Sequence, residues 1–331
     1  MFPKKIIISL TFFAFVFIVL SFLNFSTNKP DTDSEYQKAF YKNYKIFAVE
    51  IPDKIEFAGE KIETRRFDVR ESIERELLVN TYWQSQTILL IKKSNRYFPI
   101  IEPILKKYNL SDDFKFLALA ESGLTNNTVS PSGAAGIWQF LKETAIQYGL
   151  EVNDNIDERY NIEKATEAAC KYLLKAYSIY KSWTLAAASY NVGMAALSKQ
   201  IAQQKTSDYY DLYLNTETAR YLYRIIALKI IVSNPKGYGF YLRKKDMYPA
   251  IPTYSIKVDS SITDLVGFAG KYKISYKILR EFNLWIRKSA LENTSHKAYY
   301  ITIPKENCLN YDSLLVGIPD DPFILPDSIN K

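Results

Sequence analysis

Histidine is nearly missing from this chain: His296, in the polar run Asn293-Thr294-Ser295-His296-Lys297, is the single one among 331 residues. Nucleophilic catalysis with an imidazole base would have to rest on that one solvated residue, and zinc sites built from several histidines are excluded. Cysteine is almost as scarce, with Cys170 and Cys308 as two thiols in no CxxC spacing. Cys170 lies in an alanine-rich stretch and reads as a small core residue. A disulfide between the two is allowed outside the cytoplasm, but spacing alone does not dictate it. Also lacking is a Lys/Arg cluster interleaved with aromatics, so nucleic acid is not expected as a partner. The 43 basic and 36 acidic residues leave a diffuse net charge of +7, which suits an anionic polymer or a membrane surface.

Tyrosine, by contrast, is abundant, with 26 residues in a chain that is 47% hydrophobic and 24% charged. That balance belongs to a globular protein, not a disordered one. Tyrosine joins a flat apolar face to a hydrogen-bonding tip, which suits sugar rings as well as ordinary packing.

Read in order, the chain divides into five parts. Residues 1–25 are a membrane anchor or signal segment: Lys4 and Lys5 precede an apolar run, Ile6–Phe25. About 20 residues at about 1.5 Å each reach roughly 30 Å, the thickness of a hydrocarbon core. The lysines place the N-terminus in the cytoplasm and the rest outside. A cleaved signal peptide is the competing reading, but Ser21-Phe22-Leu23-Asn24-Phe25 offers no small-residue cleavage site, so an uncleaved anchor is favoured. Residues 26–67, with Pro30, Pro52 and Gly59, read as a linker, with Ile46–Ile51 a short strand.

Residues 68–248 read as a nearly all-α domain. Ile73, Leu77, Tyr82, Ile88 and Ile91 give a helical stripe, and Tyr97–Tyr108 a second helix with Pro99 and Pro103 near its start. Ser111-Asp112-Asp113 caps a third helix, Lys142–Tyr148 forms a short one, and Val152–Tyr160 is a polar loop. Asn161, Thr184 and Thr216 are the expected caps of three more. From 250 to 304 the texture turns to βααβ, with strands at Tyr254–Val258 and Tyr299–Ile303 around helices Ile262–Lys271 and Ser275–Asn283. Residues 305–331 form a loose tail.

The chemistry concentrates in Phe114–Phe140, FKFLALAESGLTNNTVSPSGAAGIWQF. Phe114, Leu117, Ala118 and Glu121 share one helical face, and Ser122-Gly123 ends the helix directly after. A carboxyl group in apolar surroundings resists ionisation and can serve as a general acid. The small residues of Ser132–Gly136 permit the close backbone approach that a groove for an extended polymer needs.

Glu121-Ser122, Gly136-Ile137-Trp138-Gln139, Ala188-Ser189-Tyr190-Asn191 and Glu217-Thr218 with Tyr221 follow in that order. Together they resemble the soluble lytic transglycosylase (SLT) family, in its membrane-bound type D branch, over roughly residues 70–245. The resemblance implies a lysozyme-like, goose-type helical catalytic domain. Residues 250–304 resemble a LysM module, although Asp259-Ser260-Ser261 lacks the glycine usual after its first strand. Such a module binds glycan or packs on the catalytic domain, and on either account it is expected to be dispensable for chemistry.

The implied activity is cleavage of the bond between N-acetylmuramic acid and N-acetylglucosamine in peptidoglycan, outside the cytoplasm and without metal or cofactor. Glu121 would be the single acid–base residue. Ser122 and Gln139 would hydrogen-bond the substrate or the acid, Tyr190 and Asn191 would face the sugar, and Tyr221 would tune Glu121. The implied partners are glycan strands and, through the N-terminal segment, a membrane; the protein is expected to be a monomer. A goose-type lysozyme would instead hydrolyse the bond, with Asp154, Asp157 or Glu163 activating water. A non-catalytic wall-binding protein is the reading from another class.

The anchor reading predicts a protein that sediments with membranes, resists extraction by high salt and is released by detergent. Edman sequencing of the native protein checks it, since a mature N-terminus between Asn24 and Asn28 would mean the segment is removed.

Overall fold

The computed structural model of the protein describes Lys38, Tyr41 and residues 45–317. The chain divides into two compact units, Met1–Ala48 and Val49–Lys331. In the first, the described residues 45–48 form neither helix nor strand, and the expected anchor, Ile6–Phe25, lies outside the described residues. Among the described residues no helix is long and apolar enough to cross a membrane.

The second unit begins within the stretch expected to be a linker, and its part from Val49 onward packs into the domain. Ile51, Ile55, Phe57 and Ile62 are buried in the main core. At roughly 1.5–3 kcal/mol for each such side chain, that burial fixes the segment. No strand forms over Ile46–Ile51. Instead β1 (Glu56–Phe57) pairs with β2 (Glu60–Lys61) through Ala58-Gly59, both at positive φ (51° and 83°). Two positive φ angles give the turn whose twist matches an antiparallel pair. The hairpin also caps a later helix: Glu60 accepts from the backbone N–H groups of Trp183 (2.5 Å) and Thr184 (2.9 Å).

Helices α1 (Phe67–Tyr82) and α2 (Gln84–Lys107) follow, separated at Trp83. Pro99 and Pro103 lie inside α2, not at the start of a separate helix. Both rings sit on its exposed face, where water can satisfy the carbonyls left without N–H partners. Then come α3 (Lys115–Ser122), α4 (Lys142–Gln147), α5 (Ile162–Tyr180), α6 (Trp183–Val192), α7 (Met194–Gln204) and α8 (Thr216–Ser233). The cap of α5 is Asn161 as expected. Those of α6 and α8 are Ser182 and Asn215, not Thr184 and Thr216. Helix α8 buries Tyr221, Leu222, Tyr223, Ile225, Ile226, Ala227, Leu228 and Ile231, apolar on nearly every side. It is the central helix, packed against α1, α3 and α6.

The remainder is a βααβ module: β3 (Thr253–Val258), α9 (Leu265–Lys271), α10 (Tyr276–Phe282) and β4 (Tyr299–Pro304), with β3 and β4 antiparallel from Thr253↔Pro304 to Val258↔Tyr299. Among the described residues of the tail, α11 (Tyr311–Leu315) is a short helix. Both cysteines are free, and Cys170 is buried.

Residues 151–160 are not a solvated loop. Ile156 and Tyr160, with Ala135, share one apolar cluster with Leu265, Trp285, Ile286, Leu291, Tyr299 and Ile301 of the module. Backbone bonds cross the junction, from Asp157 N–H to Trp285 O and from Arg287 N–H to Asn155 O, each 2.8 Å. The Arg287 guanidinium lies over the Tyr160 ring, and Glu151 accepts from Lys297 (2.5 Å) and Tyr299 (2.9 Å). The module and the helical domain thus have one continuous core at this junction, which the expectation of a dispensable module did not foresee. Ending the chain at Ala250 would expose Ala135, Ile156 and Tyr160, and is expected to lower the melting temperature by several degrees. Thermal circular dichroism checks this; a fragment that melts with the full chain would show the shared core to be unimportant.

Candidate active site

Helix α3 brings Glu121 to the site, and its last turn is fixed on two sides. Phe114, Leu117 and Ala118 are fully buried as the spacing predicts. The helix stops at Gly123, which adopts φ 57° and donates its N–H to Leu119 O. A side chain at Gly123 would press on Leu90 Cδ2 at 3.1 Å, so α2 closes against this end. Glu121 itself is half-buried, enclosed by protein yet open to solvent on one side.

Opposite it, Thr128–Phe140 folds into a compact loop. Gly136, at φ 79°, is required there, because a Cβ would stand 1.9 Å from Arg159 O. Trp138 is fully buried and donates its indole N–H to Thr166 Oγ1 at 2.8 Å. Arg159, paired with Asp157 at 2.8 Å, donates to Gly133 O (2.8 Å) and Phe140 O (3.1 Å), pinning the middle and the C-terminal end of the loop.

The structure brings the expected residues together, but most of their polar atoms hold the frame. Ser122 Oγ donates to Ile137 O at 2.8 Å, and the Tyr190 hydroxyl donates to Trp138 O at 2.8 Å. Gln139, at φ 49°, turns its amide back to Gly136 O (2.8 Å) and Thr128 O (3.2 Å). Asn191 Oδ1 accepts from Thr218 Oγ1 at 2.9 Å, tying α6 to α8. Tyr221 reaches the acid directly, its hydroxyl donating to Glu121 Oε1.

The electrostatics favour a protonated carboxyl. Burial pushes the Glu121 carboxyl up to about 7, the nearby charge of Glu217 adds to this, and the Tyr221 hydrogen bond and Arg224 charge oppose it. Burial likewise holds the Tyr190 and Tyr221 phenols well above their ordinary value, so both stay neutral donors.

Sequence reasoning missed two contributors: Arg159 stood in what read as a polar loop, and Arg224, whose charge acts on the acid, gave no local signal. Asp157, considered as a second carboxylate, is committed to Arg159, while Asp154 and Glu163 are exposed. The carboxylate whose charge reaches Glu121 is Glu217. Among the described residues no group of His, Cys, Asp and Glu could hold a metal ion.

A helical domain with one elevated carboxyl above a glycine-containing loop defines a class, and comparison with known proteins agrees. Residues 98–213 match the Transglycosylase SLT domain, and residues 254–307 match the Soluble lytic transglycosylase C-terminal LysM-like domain. The chain therefore carries an SLT domain, lysozyme-like and mainly α, followed by a LysM-like domain. It is 28% identical over 244 residues to the membrane-bound lytic murein transglycosylase D of Escherichia coli strain K12, an alignment covering 72% of this chain and 52% of that protein. The counterpart from Escherichia coli O6:H1 matches to the same extent. The chain spans about half the length of the curated relatives it matches.

Raising the folded-state pKa of Glu121 has a consequence for stability. Below the unfolded value, near 4.3, both states are protonated and nothing is lost. Between that value and about 7 the unfolded carboxyl ionises while the folded one keeps its proton, so stability falls across this window and levels off above it. Glu121→Gln is therefore expected to stabilise the fold above pH 7, by up to about 3 kcal/mol, with the gain vanishing near pH 4. Urea unfolding at pH 4 and pH 8.5 measures it; equal effects at both pH values would place the ionisation elsewhere.

Proposed function

We propose that this protein is a peptidoglycan lytic transglycosylase of the cell envelope, with Glu121 as its one acid–base group. The observation that carries the reading is the Glu121 carboxyl itself, elevated by burial and held by Tyr221 at the rim of the loop. A carboxyl poised near the working pH can both give and receive a proton. Glu121 would protonate the oxygen between N-acetylmuramic acid and N-acetylglucosamine as that bond breaks. Its carboxylate would then accept the proton of the muramoyl 6-hydroxyl, whose oxygen closes onto the anomeric carbon. The bond count balances without water, and the product is a 1,6-anhydro sugar.

The tied-down polar groups support a positioning role. With Ser122 and Tyr190 holding the carbonyls of Ile137 and Trp138, the loop presents a fixed backbone edge to a glycan strand. The N-terminal apolar run would anchor the chain in the membrane, in keeping with the membrane-bound relatives. Glu217 supports a second reading: an exposed carboxylate near the acid could activate water, giving a hydrolase of the same fold.

Mass spectrometry of muropeptides released from purified sacculi separates these outcomes. Anhydro ends are expected; reducing ends would select hydrolysis, and no product a binding protein. Glu121→Gln should lower the rate by at least about two orders of magnitude while sugar binding persists. Cleavage at half the wild-type rate would rule Glu121 out as the acid.

A further inference from the structure

Behind Tyr221, α8 carries a charge cluster with no part in the reaction just described. Glu76 of α1 is buried, at 1% exposure. Its carboxylate faces three guanidinium groups: Arg75 Nη1 at 2.5 Å and Arg220 Nε at 2.8 Å on Oε1, with Arg224 Nε 3.9 Å from Oε2. Arg220 and Arg224 stand one turn apart on α8. Between them Tyr221 holds Glu121. Arg224, one turn beyond Tyr221 on α8, is thus paired with Glu76, and its charge lowers the Glu121 carboxyl.

Other groups face Glu121 as well. Helix α8 contributes Tyr221 and Glu217, and α6 contributes Tyr190. From α2, Lys93 reaches the turn that follows α3, where its ammonium is engaged by Gly123 O (3.2 Å) and Thr125 Oγ1 (2.6 Å). Arg224 is then the cation whose charge acts on the acid, and the ion pair it makes is with Glu76.

We propose that Glu76 is a positioning residue: it keeps Arg224 on the α1 side of α8, out of ion-pair distance of Glu121. The inference rests on the reading of Glu121 as general acid. An opposite charge within about 4–6 Å lowers a carboxyl pKa by roughly 1–3 units. Glu121 paired with Arg224 would be ionised at neutral pH and unable to donate. Held by Glu76, the same guanidinium eases the ionisation that follows proton donation without forcing it beforehand.

The test uses the full chain as wild type, Glu76→Gln, Glu76→Asp and the double variant Glu76→Gln/Arg224→Gln. Two readouts are taken: the pH dependence of muropeptide release from sacculi, and a ¹³C-carboxyl NMR titration of Glu121. In Glu76→Gln the basic limb and the Glu121 titration should both move down by about one unit or more. Activity at pH 8 should then fall roughly tenfold, since each unit is a factor of ten in the protonated fraction. Glu76→Asp, which keeps the charge, should retain most of the wild-type profile, and the double variant should lose the downward shift.

A Glu76→Gln profile that is merely scaled down, or a shift that persists without Arg224, overturns the proposal. If Glu76→Gln fails to fold by circular dichroism, Arg224→Gln alone decides. Removing a cation held at a distance should raise the Glu121 titration slightly, and a fall overturns the proposal. The NMR titration reads the carboxyl whether or not sacculi are cleaved. An inactive wild type would therefore count against the reaction class, while the positioning of Arg224 is still judged by the titration.

Discussion

The site depends on one constraint: a carboxyl group must keep its proton up to near-neutral pH in a cleft that water can enter. Burial alone would achieve this and also make the group useless, because a fully enclosed acid meets no substrate. Glu121 lies between those limits. The apolar face of α3 withdraws most of its solvent, and the open side leaves it accessible. Tyr221 satisfies one oxygen without adding charge. The central helix α8 supplies the phenol, the nearby carboxylate of Glu217 and the guanidinium of Arg224 from successive turns of one rod.

Around the acid, polar side chains act chiefly on the backbone. Ser122, Tyr190, Gln139 and Arg159 each occupy carbonyls of the Thr128–Phe140 segment. A loop with left-handed residues at Gly136 and Gln139 has little regular hydrogen bonding of its own, so side chains must supply what a helix or sheet would. The same segment meets the C-terminal module through Ala135 and the 151–160 stretch. Its shape is therefore fixed from the α3 end, from α6 and from residues more than a hundred positions downstream.

How much of this could be read from the sequence follows from how local each cause is. Glu121 was legible because Phe114, Leu117 and Ala118 repeat at helical spacing, and helical spacing survives in any tertiary context. The βααβ order of the module was legible for the same reason. Ile51, Ile55 and Ile62 were not, because they are buried by contacts in an irregular stretch with no period to betray them. Ile156 and Tyr160 looked like members of a polar loop because their partners, such as Ile286 and Trp285, lie far along the chain. Glu76 looked like one more charge on an amphipathic helix; only the fold reveals that Arg220 and Arg224 surround it. The structure brings Glu121, Ser122, Gln139, Tyr190, Asn191 and Tyr221 near one another, while their internal hydrogen bonds were invisible, since sequence names a donor but not its acceptor.

The scarcity of histidine has a practical side. In most enzymes several imidazoles take up protons between pH 6 and pH 8 and mask any carboxyl that does the same. Here His296 is the single imidazole, exposed and turned toward Asp259 O. Proton counting across neutral pH, by calorimetry in buffers of different ionisation enthalpy or by potentiometric difference titration, thus meets an unusually quiet background. The Glu121 proton becomes something that can be weighed in the resting protein, before any glycan is added.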